Sequence, residues 1–414
     1  MFLTKLAFKN LMRHRNRTLI TAIIIAFAIF FYIIMDSMIG GMTEISYKNI
    51  IDYQAGHLQL VRDDYWEDKD GLSLENLLFV DQPKMSLLES IRGYKSSSPE
   101  LNFHARLNNG INELPVIGKG IIPERFKEVF AFEDQFIEGS IFSSEENKVV
   151  MGKRLADLLK LEIGDYITLL VRDKNETFNT IEAEVSGLFH TSNPNVNSNI
   201  VYLPLKIAQQ ALNVDKQVSK IIVKLEDKDQ AMVIADELES KLKRIDDDLS
   251  IYAWEELEAI SVAGAKQMGN QLIMSIILII AAIAIINTVI LATLERMEEI
   301  GMMKAMGLQE KEIIYIFVLE STGIGILGGI MGLMLGAIGV WVFANYGIDW
   351  SVIVGNNVDI SSFGIPVIGK MYGTWNLKAF IFVFSFGVIV SLLSSILPAY
   401  WAASKDPVKA IYHR

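Results

Sequence analysis

Residues 19–35 have the sequence LITAIIIAFAIFFYIIM, and this stretch decides which class of protein the chain forms. Thr21 is its single polar residue. At about 1.5 Å per residue, a helix of this length covers roughly 25 Å, which spans the apolar core of a bilayer when flanking side chains reach the interface. We therefore predict a first transmembrane helix, with bounds of 19–40.

Basic residues precede this helix, and no acidic residue accompanies them: Lys5, Lys9, Arg13, Arg15 and Arg17. The first three recur every four residues while apolar residues occupy another face, which predicts an amphipathic helix over residues 1–18 at the cytoplasmic interface. No A-x-A-like cleavage site follows Met35. We therefore interpret the first span as an uncleaved signal anchor and not as a removable signal peptide.

Three more apolar stretches predict three more transmembrane helices, at residues 271–294, 313–343 and 378–397. Basic residues distinguish the segments between them. Segments 295–312 and 398–414 carry three basic residues each, whereas segment 344–377 carries only Lys370. Because basic residues are enriched on the cytoplasmic side of membrane proteins, we predict that both termini are cytoplasmic and that residues 41–270 and 344–377 lie outside.

The 414-residue chain is 51% apolar, and its charges are concentrated in one segment. Residues 36–270 contain 25 of the 38 Lys and Arg residues but 40 of the 49 Asp and Glu residues. An acidic segment of this kind argues against nucleic-acid binding, which needs a basic surface. Because the sequence has no cysteine and its five histidines are scattered, we also predict no disulfide, no metal site and no catalytic residue.

The segment outside the membrane, residues 41–270, has the pattern of a mixed α/β domain. Two strand–helix–strand units are predicted, the first at 57–61, 84–91 and 101–107 and the second at 220–225, 229–245 and 249–253. Two such units in one domain indicate a ferredoxin-like fold. The insert between them, about 110–212, predicts a β-rich subdomain. The predicted fold class is thus a membrane protein with four transmembrane helices and a large α+β extracytoplasmic domain.

Helical spacing continues from this domain into the second span. One face directly before residue 271 carries Trp254, Leu257, Ile260 or Ser261, Gly264 and Met268 at helical spacing. This pattern predicts either a rigid stalk that transmits movement or a helix that packs on the base of the domain.

Glycines line the third predicted span. Gly323, Gly325 and Gly328 match a GxGxxG spacing, but no strand precedes them, which disfavours a dinucleotide-binding loop. A spacing of four residues instead predicts close helix packing, through Gly325, Gly328, Gly329, Gly332 and Gly336. The sequence also lacks a Walker A loop, so we expect that this chain does not hydrolyse ATP by itself.

The segment after the second span, residues 295–313, has the sequence ERMEEIGMMKAMGLQEKEI. It resembles the coupling segment of FtsX-like ABC transporter permeases, in which an acid-Ile-Gly pattern and then Lys/Arg-Ala-x-Gly precede a glycine-rich span. A short helix with methionines among charges is suited to docking in a groove on a cytoplasmic partner. We therefore expect coupling to an ATPase through Glu295, Glu298, Glu299, Ile300, Gly301, Met302, Met303, Lys304, Ala305, Met306 and Gly307.

Each residue type in this segment has an expected role. Gly301 and Gly307 would permit turns, and the three methionines would fill the groove on the partner. Glu299 or Lys304 would form ion pairs at the rim of that groove.

Three further stretches carry the same resemblance. MGKRLADLLKLEIGDYITLL (151–170) and EVSGLFHTSNPNVNSNIVYLPLKIAQQAL (184–212) are similar to MacB-like and Lol-type periplasmic domains. Asn197 and Asn199 stand where those domains often have an acid. LPAYWAASKDPVKAIYHR (397–414) resembles the Pro-Ala to Asp-Pro-Val ending of the family.

The resemblance implies a complex of two permeases, either two copies or two paralogues, with a cytoplasmic ABC ATPase dimer that binds ATP and Mg. This chain would itself bind no cofactor and would not be an enzyme. Movement of the coupling segments would pass through the bundle to the outer domains, which is called mechanotransmission. The complex would lie in the bacterial inner membrane.

A free-standing permease of this length most resembles the lipoprotein-releasing (Lol-type) subunits, for which an extracytoplasmic lipoprotein carrier is a further partner. Two alternatives remain, MacB-like efflux of amphiphiles, peptides or antibiotics and FtsX-like regulation of a cell-wall hydrolase.

Two sets of membrane residues are candidates for function. The outer end of the first span either lines a cleft for acyl chains or faces bulk lipid, through Phe27, Phe30, Phe31, Tyr32, Met35 and Met38. Glu320 lies about seven residues into the third span, where a carboxylate costs ~2.5–3.5 kcal/mol on insertion scales. Asn287 lies at a similar depth in the second span, so we predict an Asn287–Glu320 contact.

Overall fold

The computed structural model describes residues 2–13, 15–66, 71–191, 193–243, 246, 248–349 and 370–404. Its α-helices are α1 (Phe2–Arg13), α2 (Arg15–Ile50), α3 (Gln82–Glu89), α4 (Pro123–Val129), α5 (Lys153–Leu159), α6 (Pro194–Asn199), α7 (Leu205–Ala211), α8 (Ala231–Leu242), α9 (Glu258–Leu294), α10 (Met297–Ala305), α11 (Glu310–Tyr346) and α12 (Leu377–Ser404).

Its strands are β1 (Leu58–Arg62), β2 (Leu78–Phe79), β3 (Tyr94–Asn108), β4 (Glu113–Ile121), β5 (Phe136–Gly139), β6 (Lys148–Gly152), β7 (Tyr166–Arg172), β8 (Phe178–Phe189), β9 (Ile200–Pro204), β10 (Gln217–Val218), β11 (Lys220–Leu225), β12 (Leu249–Ala253), β13 (Ile348–Asp349) and β14 (Lys370–Met371). The chain divides into two compact units. Of the described residues, the four-helix unit comprises those up to Thr43 and those in 265–349 and 370–404, and the α/β unit comprises those from Glu44 to Gly264.

Within the described residues, four helices are long and apolar enough to cross a membrane, within the segments Arg15–Ala55, Met268–Leu294, Glu310–Tyr346 and Leu377–Ser404. The predicted fold class is therefore confirmed. The helices extend beyond the predicted spans, because hydropathy marks the part of a helix that lies in lipid and not the residue at which backbone hydrogen bonding ends. Helix α2, for example, begins at Arg15 and ends at Ile50, whereas the first span was predicted at 19–40.

The end of the chain shows the same difference. Helix α12 continues through Pro398 to Ser404, beyond the predicted end at residue 397. Most of the predicted outer segment 344–377 and the tail from residue 405 lie outside the described residues.

Four strands of the α/β unit form a ferredoxin-like sheet. Their order is β12-β1-β11-β3, and each neighbouring pair is antiparallel. Helix α3 connects β1 with β3 by way of the short strand β2, and α8 connects β11 with β12. This is the arrangement that two split strand–helix–strand units form, so the ferredoxin-like prediction is confirmed.

The inserted strands close into a ring. Around it, β3 pairs with β4, β4 with β9, β9 with β6, β6 with β8, β8 with β7, and β7 again with β3. Strand β3 is 15 residues long because it belongs both to the ferredoxin-like sheet and to the ring. It pairs with β11 up to Glu100 and with β4 from Glu100 onward. Closure removes the free edges of these strands, as in a small β-barrel.

A buried charged cluster lies where β3 passes from one sheet to the other. The Glu100 carboxylate is 3.1 Å from Lys119 Nζ and 3.3 Å from Lys220 Nζ. Burial lowers the pKa of Lys119, and the charge of Glu100 opposes this shift. A buried charge needs such partners, so the cluster fixes how β3, β4 and β11 meet.

Candidate functional site

An apolar groove lies between helices α2 and α9 of the four-helix unit. Its volume is about 390 Å³. It is lined by Ile23, Ile24, Phe27, Ala28, Phe31, Ile277, Ile280, Ala281 and Ala284. No lining side chain is polar, so the groove can hold a hydrocarbon chain but offers no side-chain partner to a charged group.

The structure separates the six residues predicted for an acyl-chain cleft. Phe27 and Phe31, four residues apart on one face of α2, line the groove. Tyr32 is instead buried, with its ring 6.4 Å from that of Phe382 on α12. Phe30 lies against Gly339 of α11. The remaining two predicted residues, Met35 and Met38, are half-buried and do not line the groove.

Helix α9 supplies the other wall of the groove, which the sequence analysis did not identify. Ile277, Ile280, Ala281 and Ala284 have no chemical signature that distinguishes them within a uniformly apolar span. The two alanines leave space beside the larger isoleucines.

The opposite face of α2 packs tightly on α11. A Cβ atom on Gly328 would lie 2.7 Å from the carbonyl oxygen of Ala22, and one on Gly332 would lie 2.8 Å from that of Ala26. A Cβ atom on Gly336 would lie 2.7 Å from the side chain of Ile33. These three glycines, spaced by four residues, therefore allow the two backbones to approach closely.

Two other glycines of α11 face α12. A Cβ atom on Gly325 would lie 2.9 Å from Ser391 Cβ, and one on Gly329 would lie 2.7 Å from the ring of Phe384. Helix α11 therefore uses two stripes of small residues to pack against two different helices.

The predicted coupling segment forms helix α10, whose inner face is part of a small core. Ile300 and Met303 are buried with Ala7 of α1, Phe317 of α11 and Ala402 of α12. Gly301 is buried too, and it lies inside the helix. Gly301 therefore does not form the predicted turn, whereas Gly307 has a φ of +95° and follows the last turn of the helix.

Only part of this segment can reach a partner. Met302 and Met306 are 51% and 73% exposed, and Glu298 and Ala305 are exposed as well. The expectation that all three methionines fill a groove on the partner is therefore wrong for Met303, because the helical period turns it inward.

The charged residues predicted at the rim are paired within the chain. Lys304 Nζ lies 2.6 Å from the carbonyl oxygen of Ala403 and 3.0 Å from Glu310 Oε1. Glu299 accepts a hydrogen bond from Arg296 Nε at 2.7 Å. Both side chains thus hold α10 in place.

The predicted Asn287–Glu320 contact is wrong. Asn287 is exposed, and the buried carboxylate of Glu320 pairs with the guanidinium of Arg296. Arg296 lies beyond the end of the second span, where the sequence analysis treated it as a loop residue. The charge of Glu320, which needs a basic partner near the membrane, was the signal that could have identified it.

Comparison with known proteins agrees with this architecture. Residues 18–241 match the family model of the MacB-like periplasmic core domain, and residues 272–407 match that of the FtsX-like permease C-terminal domain.

Individual relatives are 22–25% identical to this chain over the residues that align. An uncharacterised ABC transporter permease of Methanocaldococcus jannaschii is 25% identical over 70% of this chain and 69% of its own length. The lipoprotein-releasing system transmembrane protein LolC of Xylella fastidiosa is 22% identical over 76% of this chain and 77% of its own length. The macrolide export ATP-binding/permease protein MacB of Bdellovibrio bacteriovorus is 25% identical over 58% of this chain and 39% of its own length. The chain therefore belongs to the FtsX- and MacB-type family of ABC transporter permeases.

Proposed function

We propose that this chain is the permease subunit of a complex that extracts lipoproteins from the outer leaflet of the bacterial inner membrane. The observation that carries this proposal is the apolar groove between α2 and α9. Its volume lies within the range of ligand pockets, and its wholly apolar lining suits a hydrocarbon chain.

The energy for extraction comes from a separate cytoplasmic ABC ATPase dimer, which binds ATP and Mg. The exposed Met302 and Met306 of α10 are the apolar residues that this ATPase contacts. Its movement passes through the four-helix unit by mechanotransmission. A second permease, either a copy or a paralogue, completes the complex, and an extracytoplasmic carrier receives the lipoprotein.

Orientation can be tested directly because the chain contains no cysteine. Both termini are proposed to be cytoplasmic. Cysteines introduced at Asp165 or Asn195 should react with a membrane-impermeant thiol reagent in intact spheroplasts, whereas one at Gln309 should not. The opposite labelling pattern would overturn this orientation.

The substrate can be identified by crosslinking. A photoreactive amino acid at Phe27 should crosslink to acylated lipoprotein in membranes, and the complex purified with its native ATPase should contain lipoproteins detectable by mass spectrometry. The same photoreactive residue at Ile338, which is 60% exposed on α11, serves as the control for contact with bulk lipid. Recovery of a non-protein amphiphile in place of lipoprotein would favour efflux instead.

The proposed contact between α10 and the ATPase can be tested by introducing negative charges at its exposed methionines. Met302→Glu and Met306→Glu should weaken assembly with the ATPase, because each places a carboxylate at an apolar contact. Met12→Glu, at a methionine of α1 that is 79% exposed, is the matched control. Equal ATPase binding by all three variants would contradict the assignment.

A further inference from the structure

The connection between the second transmembrane helix and the coupling helix is not a continuous helix. Helix α9 ends at Leu294, and α10 begins at Met297. Arg296, between them, has φ −105° and ψ 17°, which is outside the helical region. Displacement of α10 is therefore not transmitted to α9 along one unbroken helix.

The Arg296 side chain bridges this break to a different helix. Its Nε atom donates to Glu299 of α10 at 2.7 Å, and its Nη1 atom donates to Glu320 of α11. The guanidinium also lies 4.8 Å from the centre of the Phe317 ring. We call Arg296, Glu299, Phe317 and Glu320 the junction clamp. It connects the coupling helix to α11.

Burial distinguishes this clamp from the ion pair beside it. The side chains of Arg296 and Glu320 are 8% and 5% exposed. Arg17 of α2 and Glu295, which form the neighbouring pair, are 29% and 63% exposed. Exposed pairs contribute little because water screens them, whereas breaking a buried pair leaves an uncompensated charge. The clamp is thus the stronger of the two connections.

Helix α11 continues the path to α2. The close approach of Gly328 and Gly332 to the backbone of α2 makes those two helices move together. The same helix α2 carries Phe27 and Phe31 on its groove face.

We infer that Arg296 is a positioning residue that, together with the Lys304–Glu310 pair, makes α10 and α11 move as one body, so that displacement of the coupling helix reaches the groove through α11 and α2. This inference rests on the proposed coupling to an ATPase. It assigns the transmission route to the third and first spans, whereas the stalk interpretation in the sequence analysis places one along the second span.

The test uses the full complex with its ATPase. A single cysteine at Asn345, an exposed residue near the outer end of α11, is labelled with an environment-sensitive dye before assembly. ATP with orthovanadate should change the dye emission in the otherwise unmodified protein. Arg296→Gln should abolish this change. Arg17→Gln removes the exposed pair with Glu295 but leaves Arg296, Glu299 and Glu320 in place, so it should retain the change.

A double variant separates transmission from stability. Arg296→Gln alone removes the buried guanidinium that pairs with Glu320, so it should also lower the melting temperature. Arg296→Gln combined with Glu320→Gln should restore the melting temperature and ATPase binding but not the emission change. If the double variant regains the emission change as well, the clamp is merely structural and the inference is overturned. If the unmodified protein gives no response to nucleotide, the proposed ATPase coupling fails, and the inference fails with it.

Discussion

The two faces of helix α2 have similar composition but opposite packing. One face meets α11, where glycines spaced by four residues bring the backbones together. The other meets α9, where Ile277, Ile280 and two alanines leave an open groove. Residues 271–294 contain no glycine. The difference shows that in a membrane, where burial of apolar surface does not drive helix association, the size of contacting residues decides which interface closes.

The tight face should be the more sensitive to substitution. Gly332→Leu places side-chain atoms where the backbone of Ala26 and the side chain of Ile29 already lie. Overpacking of this kind costs about 3 kcal/mol, so we expect a large loss of folded protein on heating in detergent. Gly269→Leu is the control, since its Cβ would meet no atom within 4 Å. Equal melting temperatures for the two variants would contradict close packing of α2 on α11.

Filling the open face should change binding without unfolding the protein. Ala284→Phe projects a ring into the groove. Displacing about three methylene groups of a bound chain, at ~0.8 kcal/mol each, weakens binding of an acyl-chain probe roughly fiftyfold. The measurement is titration with a fluorescent fatty acyl probe, compared with Ala282→Phe, which changes a half-buried alanine of α9 that does not line the groove. An unchanged affinity for Ala284→Phe would show that the probe binds elsewhere.

A smaller effect is expected from removing one wall of the groove. Phe27 is 64% exposed, so Phe27→Ser should leave the melting temperature nearly unchanged. Losing its contact with the probe, worth about 1.5 kcal/mol, should weaken binding roughly tenfold. Tyr32→Ser, five residues further along α2, should lower the melting temperature and leave the affinity for the probe nearly unchanged, because Tyr32 is buried against α12. A loss of affinity with Tyr32→Ser and none with Phe27→Ser would show that the probe does not bind at the groove face of α2.

The individual helices and strands could be predicted from the sequence, because each type of element has a characteristic spacing of apolar residues. The strands β11 and β12 were predicted with the bounds that the structure gives them, Lys220–Leu225 and Leu249–Ala253. Alternation of side chains and flanking turn residues specify such strands locally. The ring closure of β3 with β7 was not predicted, because pairing between distant strands leaves no local signal.

The candidate site was predicted less completely, for a related reason. Phe27 and Phe31 were included with Tyr32, since composition identifies an aromatic helix end but not which face meets a neighbour. Arg296 was missed because its partner, Glu320, lies on another helix. Tertiary packing determines which residues of different helices come into contact. The spacing of residues within one helix gives no information about that packing.

The strand order of the α/β unit sets an order of events during synthesis. Strand β1 leaves the ribosome early, yet it pairs with β11 and β12, so Leu58 has no sheet partner until Val223 and Ala253 are made. The strands of the ring, in contrast, are all complete by Pro204. We expect the ring to fold first and the exposed half of β3 to serve as the template on which β11, then β1, then β12 are added. Until that assembly is finished, β1 is an unpaired strand whose free backbone groups can pair with another chain.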